Sequence, residues 1–438
     1  NASQVFAEQI GGHTPFDVGL YGATEMFVDG FLHLMQTGVL KRKVYGHWAL
    51  QKLINLGRCN PQQLEPTVLD DLAEIGVREI SPDDFSVLKQ HGLFKEGVLH
   101  EGVWLVLPNG QRVLANFADK STRIALQASG LGRSLKQGIV LHAGFFLGPG
   151  SMYSTLSNMP EAERDSIHML GVEHVNQLDL NPVLYSEQRT HARFINTGIM
   201  VTLGGAVVSD GLDDGRVISG VGGQYNFVSM AHKLPTGRSI LMIRAVRENG
   251  QGDAPSSNIV FSYGHCTIPR HLRDIVVTEY GVADLRGKSD SQVAKALIHI
   301  ADARFQADLL AQAKKAGKIE TDYEIPAEFL NNTPGALNSG LGQFVGSGVL
   351  APFPLGSDFT PVEWALAKAL KRVKARAAST PKWKLAMKAL LAASPPASAQ
   401  PFLERMNLLE PDSIETKVVR ALLLEELKAQ GEISEALG

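Results

Sequence analysis

Cysteine is almost missing from this chain: Cys59 and Cys266 are the only two among 438 residues. A disulfide framework is therefore excluded, and a reducing compartment, the cytoplasm, is the expected address. No apolar run reaches the roughly 18 residues of a membrane span, and no secretory pattern opens the chain. Charge of one sign is missing too. The 42 basic and 45 acidic residues leave a net charge of −3, which argues against nucleic acid or an anionic membrane as a partner. There is no Gly-x-Ser-x-Gly elbow for a serine hydrolase and no Walker A loop for an NTPase. His265-Cys266 and His271 have no second cluster at metal-ligand spacing, so satisfied or surface roles are expected for them, and no metal site. His142, inside an apolar run, reads as a core histidine.

Two features stand out against these absences. In Tyr21-Gly-Ala-Thr-Glu-Met-Phe-Val-Asp-Gly30, Glu25 falls where a helix is expected to begin, and a helix N-terminus favours a negative charge. Far downstream, Ser219-Gly-Val-Gly-Gly-Gln-Tyr-Asn-Phe227 packs three glycines into four residues after a short apolar run. Glycine lets backbone N–H groups approach a ligand closely. Together these supply a charged nucleophile and an oxyanion cradle, the parts needed to attack an activated acyl group. Each also has a plainer reading. Acidic residues in a first helical turn stabilise the helix, and the glycines alone make a tight turn. A dinucleotide fingerprint fits poorly, because Tyr225 stands where its third glycine belongs.

A length of 438 residues implies two or three domains. Met26, Phe27, Phe31, Leu34 and Met35 follow a helical pattern that stops at Gly38. Gly102–Asp119 reads as a hairpin turning at Asn109-Gly110. From 137 to 318, strands and helices alternate. Ile139–Phe146 is a strand, then comes a Leu147–Gly150 loop and a helix capped by Ser151. A strand at Val217–Ser219 runs into the glycine cluster, and Phe227–Leu234 is helical. Ile275–Glu279 is a strand, and a helix opens on a Ser289/Gln292 capping box with Val293, Leu297, Ala301, Phe305 and Leu309 on one side. This alternation predicts an α/β fold, an open and mostly parallel sheet with flanking helices, with ligands at the carboxyl ends of the strands. Glu279 would fall there, either in a cleft or paired with Arg286. Residues 319–360 read as loop. From Pro361 the chain is helical and basic, which is a solvated face or a surface for ligand phosphates or a partner, until Pro395-Pro396 breaks it.

At these residues the chain resembles the acetyl-CoA hydrolase/transferase family, the carboxylate-nucleophile CoA-transferases. Thr24-Glu-Met…Asp29-Gly30, Ser219-Gly-Val-Gly-Gly-Gln…Phe227 and Val277-Thr-Glu-Tyr-Gly-Val-Ala-Asp-Leu-Arg-Gly287 are similar to three of its motifs, in the same order. The likeness covers residues 13–57 and about 137–318. It implies a CoA-transferase-like catalytic domain over 1–57 and 137–318, an inserted α/β subdomain with the hairpin over 58–136, and a loop-rich, helical extension over 319–438. It implies Glu25 as covalent nucleophile and Gly222 and Gly223 as oxyanion donors. CoA contacts would come from Gly220, Gly222, Gly223, Gln224, Asn196 and Glu279, with Arg247 (or Arg244) in place of the family's lysine. Coenzyme A enters as substrate, with acyl-CoA and small carboxylates as partners, no metal, and a homodimer as the expected assembly. Transfer and hydrolysis are not separated by these motifs. Asn226 replaces the family's usual aspartate. The family's N-terminal domain has no counterpart here, and Asn1-Ala2 reads as a scar with the natural start upstream. The alternative is a non-catalytic CoA-binding or assembly module, a fragment lacking its partner domain.

Overall fold

The computed structural model describes residues 18–248, 254–350, 355–390 and 394–433. Asn1-Ala2 and residues 13–17 of the resemblance lie outside them. The chain divides into one unit running to Leu355, apart from a short excursion at Glu248–Pro255, and a second that takes that excursion and Gly356 onward.

The segment around Glu25 is a strand, β1 (Gly22–Phe27), and the helix α1 (Asp29–Gln36) starts only after it. The expected helix start at Glu25 is thus corrected. Met26 and Phe27 continue an extended run whose amides pair with a neighbouring strand, and so short a segment does not by itself distinguish helix from strand. α1 does end as expected: Gly38, at φ 71°, follows its C-cap, and its N–H donates to the Met35 carbonyl.

Next come α2 (Trp48–Asn55), α3 (Val68–Glu74) and α4 (Pro82–Gln90), then the antiparallel strands β2 (Leu99–Glu101), β3 (Trp104–Val106) and β4 (Arg112–Leu114), and α5 (Lys120–Ala125). The hairpin expected over Gly102–Asp119 is there, with Leu105 opposite Val113. These elements share a hydrophobic core of their own that runs from Tyr45 to Leu131 and includes Leu50, Leu69, Leu88 and Phe117.

β5 (Leu141–Phe146) pairs in parallel with β1, placing Thr24 beside Ala143 and Met26 beside Phe145. α6 (Gly150–Ser157) then leads to β6 (Ile167–Met169), parallel on the far side of β5. Ser151 does not cap α6. Pro149 holds the cap position, and no side chain bonds there.

Two short helices, α7 (Glu173–Asn176) and α8 (Pro182–Gln188), precede β7 (Arg193–Thr197), β8 (Met200–Thr202) and β9 (Val207–Val208). α9 (Gln224–Lys233) begins three residues earlier than its apolar pattern suggested, directly on the glycine cluster. The strand expected at Val217–Ser219 reduces to one bridge, Gly211 to Val217. β10 (Arg238–Met242), β11 (Ile259–Val260), β12 (Ile275–Thr278) and β13 (Gly281–Asp284) complete the sheets. One sheet runs β13-β12-β10-β7, parallel except for β13, and another runs β11-β8-β9. The fold is the expected mixed α/β arrangement with parallel strands. The parallel strands fall into separate sheets, and β12 turns back into β13 where strand-to-helix succession was expected.

The long helix expected from Ser289 is two helices, α10 (Asp290–His299) and α11 (Ala303–Lys315). Ser289 and Gln292 form the capping box, but Asp302 caps a second start by accepting from the Arg304 N–H. Residues 319–360 are not all loop: α12 (Pro334–Gly346) forms there, with Thr333 accepting from the Ala336 N–H and proline at its start. The second unit holds α13 (Pro361–Ser379), α14 (Lys382–Leu390), α15 (Gln400–Arg405) and α16 (Ile414–Ala429). Its core includes Leu366, Phe402, Leu423 and Leu427.

Candidate active site

Glu25 lies near the carboxyl end of β1 and is half-buried. Its backbone lies close against β5, where a Cβ at Gly144 would come within 2.9 Å of the Glu25 carbonyl oxygen. β7 and β10 are parallel neighbours, and the chain joining them passes through α9. A crossover helix of this kind runs opposite to the strands, so its N-terminus lies at their carboxyl ends. That N-terminus is the glycine cluster, with Gly223 as N-cap and Gly222 in the left-handed region at φ 58°.

The Glu25 carboxyl group and this bend meet. A Cβ on Gly223 would come within 2.9 Å of Glu25 Cδ and 3.1 Å of Asn176 Nδ2, and a Cβ on Gly222 would lie 3.8 Å from Glu25 Oε2. Only glycine fits at 223 without displacing the carboxylate. Among the described residues, the amides of Gly222 and Gly223 have no hydrogen-bond partner. They belong to the run of N–H groups that a helix start leaves unpaired, which suits them to receive negative charge.

A residue that the motifs did not mark completes the contact. Asn176, at the end of α7, is buried, and its Nδ2 donates to Glu25 Oε1 at 2.9 Å. Nothing in the local sequence Glu173-His-Val-Asn176 distinguishes it. Only the fold brings it to β1.

The remaining predicted residues lie on several different elements. Asn196 sits in β7 beside Leu241 of β10, and its Nδ2 is buried with no partner. Gln224, the first residue of α9, is also buried, and its Nε2 has no partner. Glu279 follows β12. It is exposed, and its Oε2 accepts from the Ala245 N–H at 2.8 Å. The expected pairing of Glu279 with Arg286 is not made. Arg286 binds Asp274 at 2.6 Å, at the end of the β12–β13 pair away from their turn. Arg247 lies after β10 in a two-residue ladder with Ser256, and Gly220 is exposed ahead of the bend.

His142 in β5 shares a 2.5 Å hydrogen bond between its Nδ1 and the Tyr21 hydroxyl, with the His168 ring tilted against it at 5.5 Å between ring centres. Burial, followed by the positive charges of His168 and Arg189, pushes its pKa down to about 3. His265 binds Asp210 at 2.9 Å, and among the described residues no cluster of three His, Cys, Asp or Glu side chains could hold a metal. No helix among them is long and apolar enough to cross a membrane.

Parallel strands carrying an acidic side chain up to a glycine-led helix start describe a mixed α/β protein with a carboxylate packed against a glycine bend. Comparison with known proteins adds a match over part of the chain: residues 148–313 match the acetyl-CoA hydrolase/transferase C-terminal domain, so the resemblance read from the motifs is borne out over that stretch. The chain is 30% identical over 266 residues to the 4-hydroxybutyrate coenzyme A transferase of Clostridium kluyveri, covering 58% of this chain and 57% of that one. It is 36% identical over 122 residues to a probable butyrate:acetyl-CoA coenzyme A-transferase of Syntrophomonas wolfei, covering 28% of this chain and 27% of that one. Among solved structures, RipA from Yersinia pestis aligns at 29% identity with a TM-score of 0.34, over 41% of this chain and 38% of that one. The match thus spans 57% of the length of the first curated relative and 27% of the second.

Proposed function

We propose that the protein is an enzyme that moves coenzyme A between an acyl group and a small carboxylate through a covalent thioester on Glu25. The observation that carries this reading is the Glu25 carboxyl group set against Gly222, Gly223 and the Asn176 amide. The CoA-transferase names of the relatives favour transfer over hydrolysis.

In this reading a Glu25 oxygen attacks the thioester carbonyl carbon. The carbon–sulfur bond breaks, leaving an acyl-glutamyl anhydride and the CoA thiolate. The thiolate then attacks the Glu25 carbonyl and releases the first carboxylate, which leaves CoA on Glu25 as a thioester. An incoming carboxylate runs the same two steps backwards and leaves as the new acyl-CoA. Every step passes through an oxyanion, on the acyl carbonyl or on that of Glu25 itself, to which the Gly222 and Gly223 amides and Asn176 Nδ2 would donate. Losing one such donor typically costs about 3 kcal/mol of barrier.

Gly220, Gln224, Asn196, Glu279 and Arg247 would contact CoA. The unpartnered buried amides of Gln224 and Asn196 support this, because a buried donor without a partner costs free energy that a bound ligand recovers. No metal enters the scheme. The 58–136 segment is proposed as an insertion into the catalytic domain 1–57 and 137–318, with 319–438 as an extension, a homodimer as the assembly and the cytoplasm as the location. The test is Glu25→Gln, assayed for exchange between an acyl-CoA and acetate. Loss of exchange, together with loss of the mass change that borohydride leaves on the Glu25 peptide after acyl-CoA treatment, supports the nucleophile. Undiminished turnover refutes it.

A further inference from the structure

α7 is a single turn, too short to bond its own carbonyls internally, yet it carries Asn176 to Glu25. Its C-terminal carbonyls are taken by one side chain. Arg189, the C-cap residue of α8, is buried, with only 4% of its surface exposed. Its Nη2 donates to the His174 carbonyl at 2.5 Å and its Nη1 to the Gln177 carbonyl at 2.8 Å, which brackets Asn176 on both sides. The guanidinium lies 4.7 Å from the Tyr185 ring centre, and the Tyr185 hydroxyl bonds His174 Nδ1 at 2.7 Å. Nη1 also sits 2.8 Å from Met230 Sδ on α9, the helix whose start is the glycine bend.

From this geometry we infer that Arg189 is the positioning residue of the site. It fixes Asn176 against Glu25 and ties α7 to the helix that presents Gly222 and Gly223. This rests on the Glu25 reading. A planar fork satisfies two carbonyls at fixed separation, which a lysine ammonium does not reproduce. A cation at the end of a helical turn also meets the negative pole of that turn. The Arg189 charge is not spent on a carboxylate: its recorded partners are carbonyls, a thioether and an aromatic ring. Its tether to α7 therefore does not depend on a neighbouring acid's protonation.

The test combines Arg189→Met and Arg189→Lys with Asn176→Ala in a double-mutant cycle on the full chain, with acyl exchange and a crystal structure of Arg189→Met as readouts. Misplacing a reacting group by about 1 Å costs about 10²-fold, so both Arg189 variants are expected to lose kcat on that scale while KM for acyl-CoA changes little. In the Asn176→Ala background the Arg189 changes are expected to cost almost nothing further. In the crystal structure, Asn176 Nδ2 is expected to leave hydrogen-bond reach of Glu25. Additive losses, an unchanged kcat, or a retained Asn176–Glu25 bond in the Arg189→Met crystal each overturn the assignment. These outcomes are separable from failure of the functional reading, which Glu25→Gln decides alone. Should the unmodified chain show no exchange, the crystal structure still decides the role of Arg189.

Discussion

Glu25, Asn176 and Gly223 come from three distant parts of the chain, and each makes a different demand on the site. Gly223 must lack a side chain. Gly223→Ala is expected to keep the far-ultraviolet spectrum and to abolish formation of the Glu25 thioester, because its Cβ would come within 2.9 Å of Glu25 Cδ. Peptide mass spectrometry after acyl-CoA and borohydride reads this directly, and wild-type labelling in the variant would show that the bend tolerates a side chain. Asn176 must donate. Asn176→Ala is expected to lower kcat by about 10²–10³ while the melting temperature shifts little, since one donor to a developing oxyanion contributes on that scale. His142 sets a pH limit on stability. Its folded pKa of about 3 lies below the ordinary value of 6.5, so between those values the unfolded chain takes up a proton that the folded protein refuses. Stability is then whole above pH 6.5 and falls as pH drops, by about 1.4 kcal/mol per unit for this group. Buried His47 and His91 are lowered in the same direction, first by desolvation. Urea titrations from pH 7.5 to 5 are expected to show this slope, and His142→Asn to flatten it. An equal slope in the variant would assign the effect to other groups.

Elements were legible where their chemistry is local. Asn109-Gly110 marks a turn by its own backbone preference, and Ser289 with Gln292 closes a capping box over four residues. Ser289→Ala is accordingly expected to cost about 1 kcal/mol, measured as a shift in the urea midpoint without a change in slope. Elements were misread where partners lie far away. β1 is a strand because β5 offers it a parallel edge, and the Thr24–Phe27 stretch carries no sign of that. The long helix after Ser289 breaks because Asp302 caps a new start, and the apolar pattern runs on across the break. For the candidate site, the motifs located Glu25 and the glycine bend but not Asn176, 151 residues from its partner, nor Arg189, whose role depends on two carbonyls. Side chains whose partners lie many residues away leave no trace in local spacing.

Across the first unit, the Tyr45–Leu131 core is distinct from the sheet cores, one built around Leu241 and Val276 and another around Phe27 and Leu141. Leu69 is fully buried in the first of these, so Leu69→Ala is expected to cost about 2–5 kcal/mol. Amide hydrogen exchange is the informative readout: faster exchange across α2–α5, with β10 and β12 unchanged, would show that this core opens independently. Equal loss of protection in β10 and β12 would show one cooperative block.

That core is nevertheless hydrogen-bonded to the end of α8. Asn55 Nδ2 donates to the Glu187 carbonyl at 2.8 Å and to its carboxylate at 3.0 Å, and Gln188 Nε2 donates to the Tyr45 carbonyl at 2.9 Å. Both anchor points immediately precede Arg189 in the chain. The Tyr45–Leu131 core is thus joined to the residues just ahead of Arg189, and replacing Asn55, whose side chain makes that joint, is expected to loosen the proposed alignment of Glu25 on the other side.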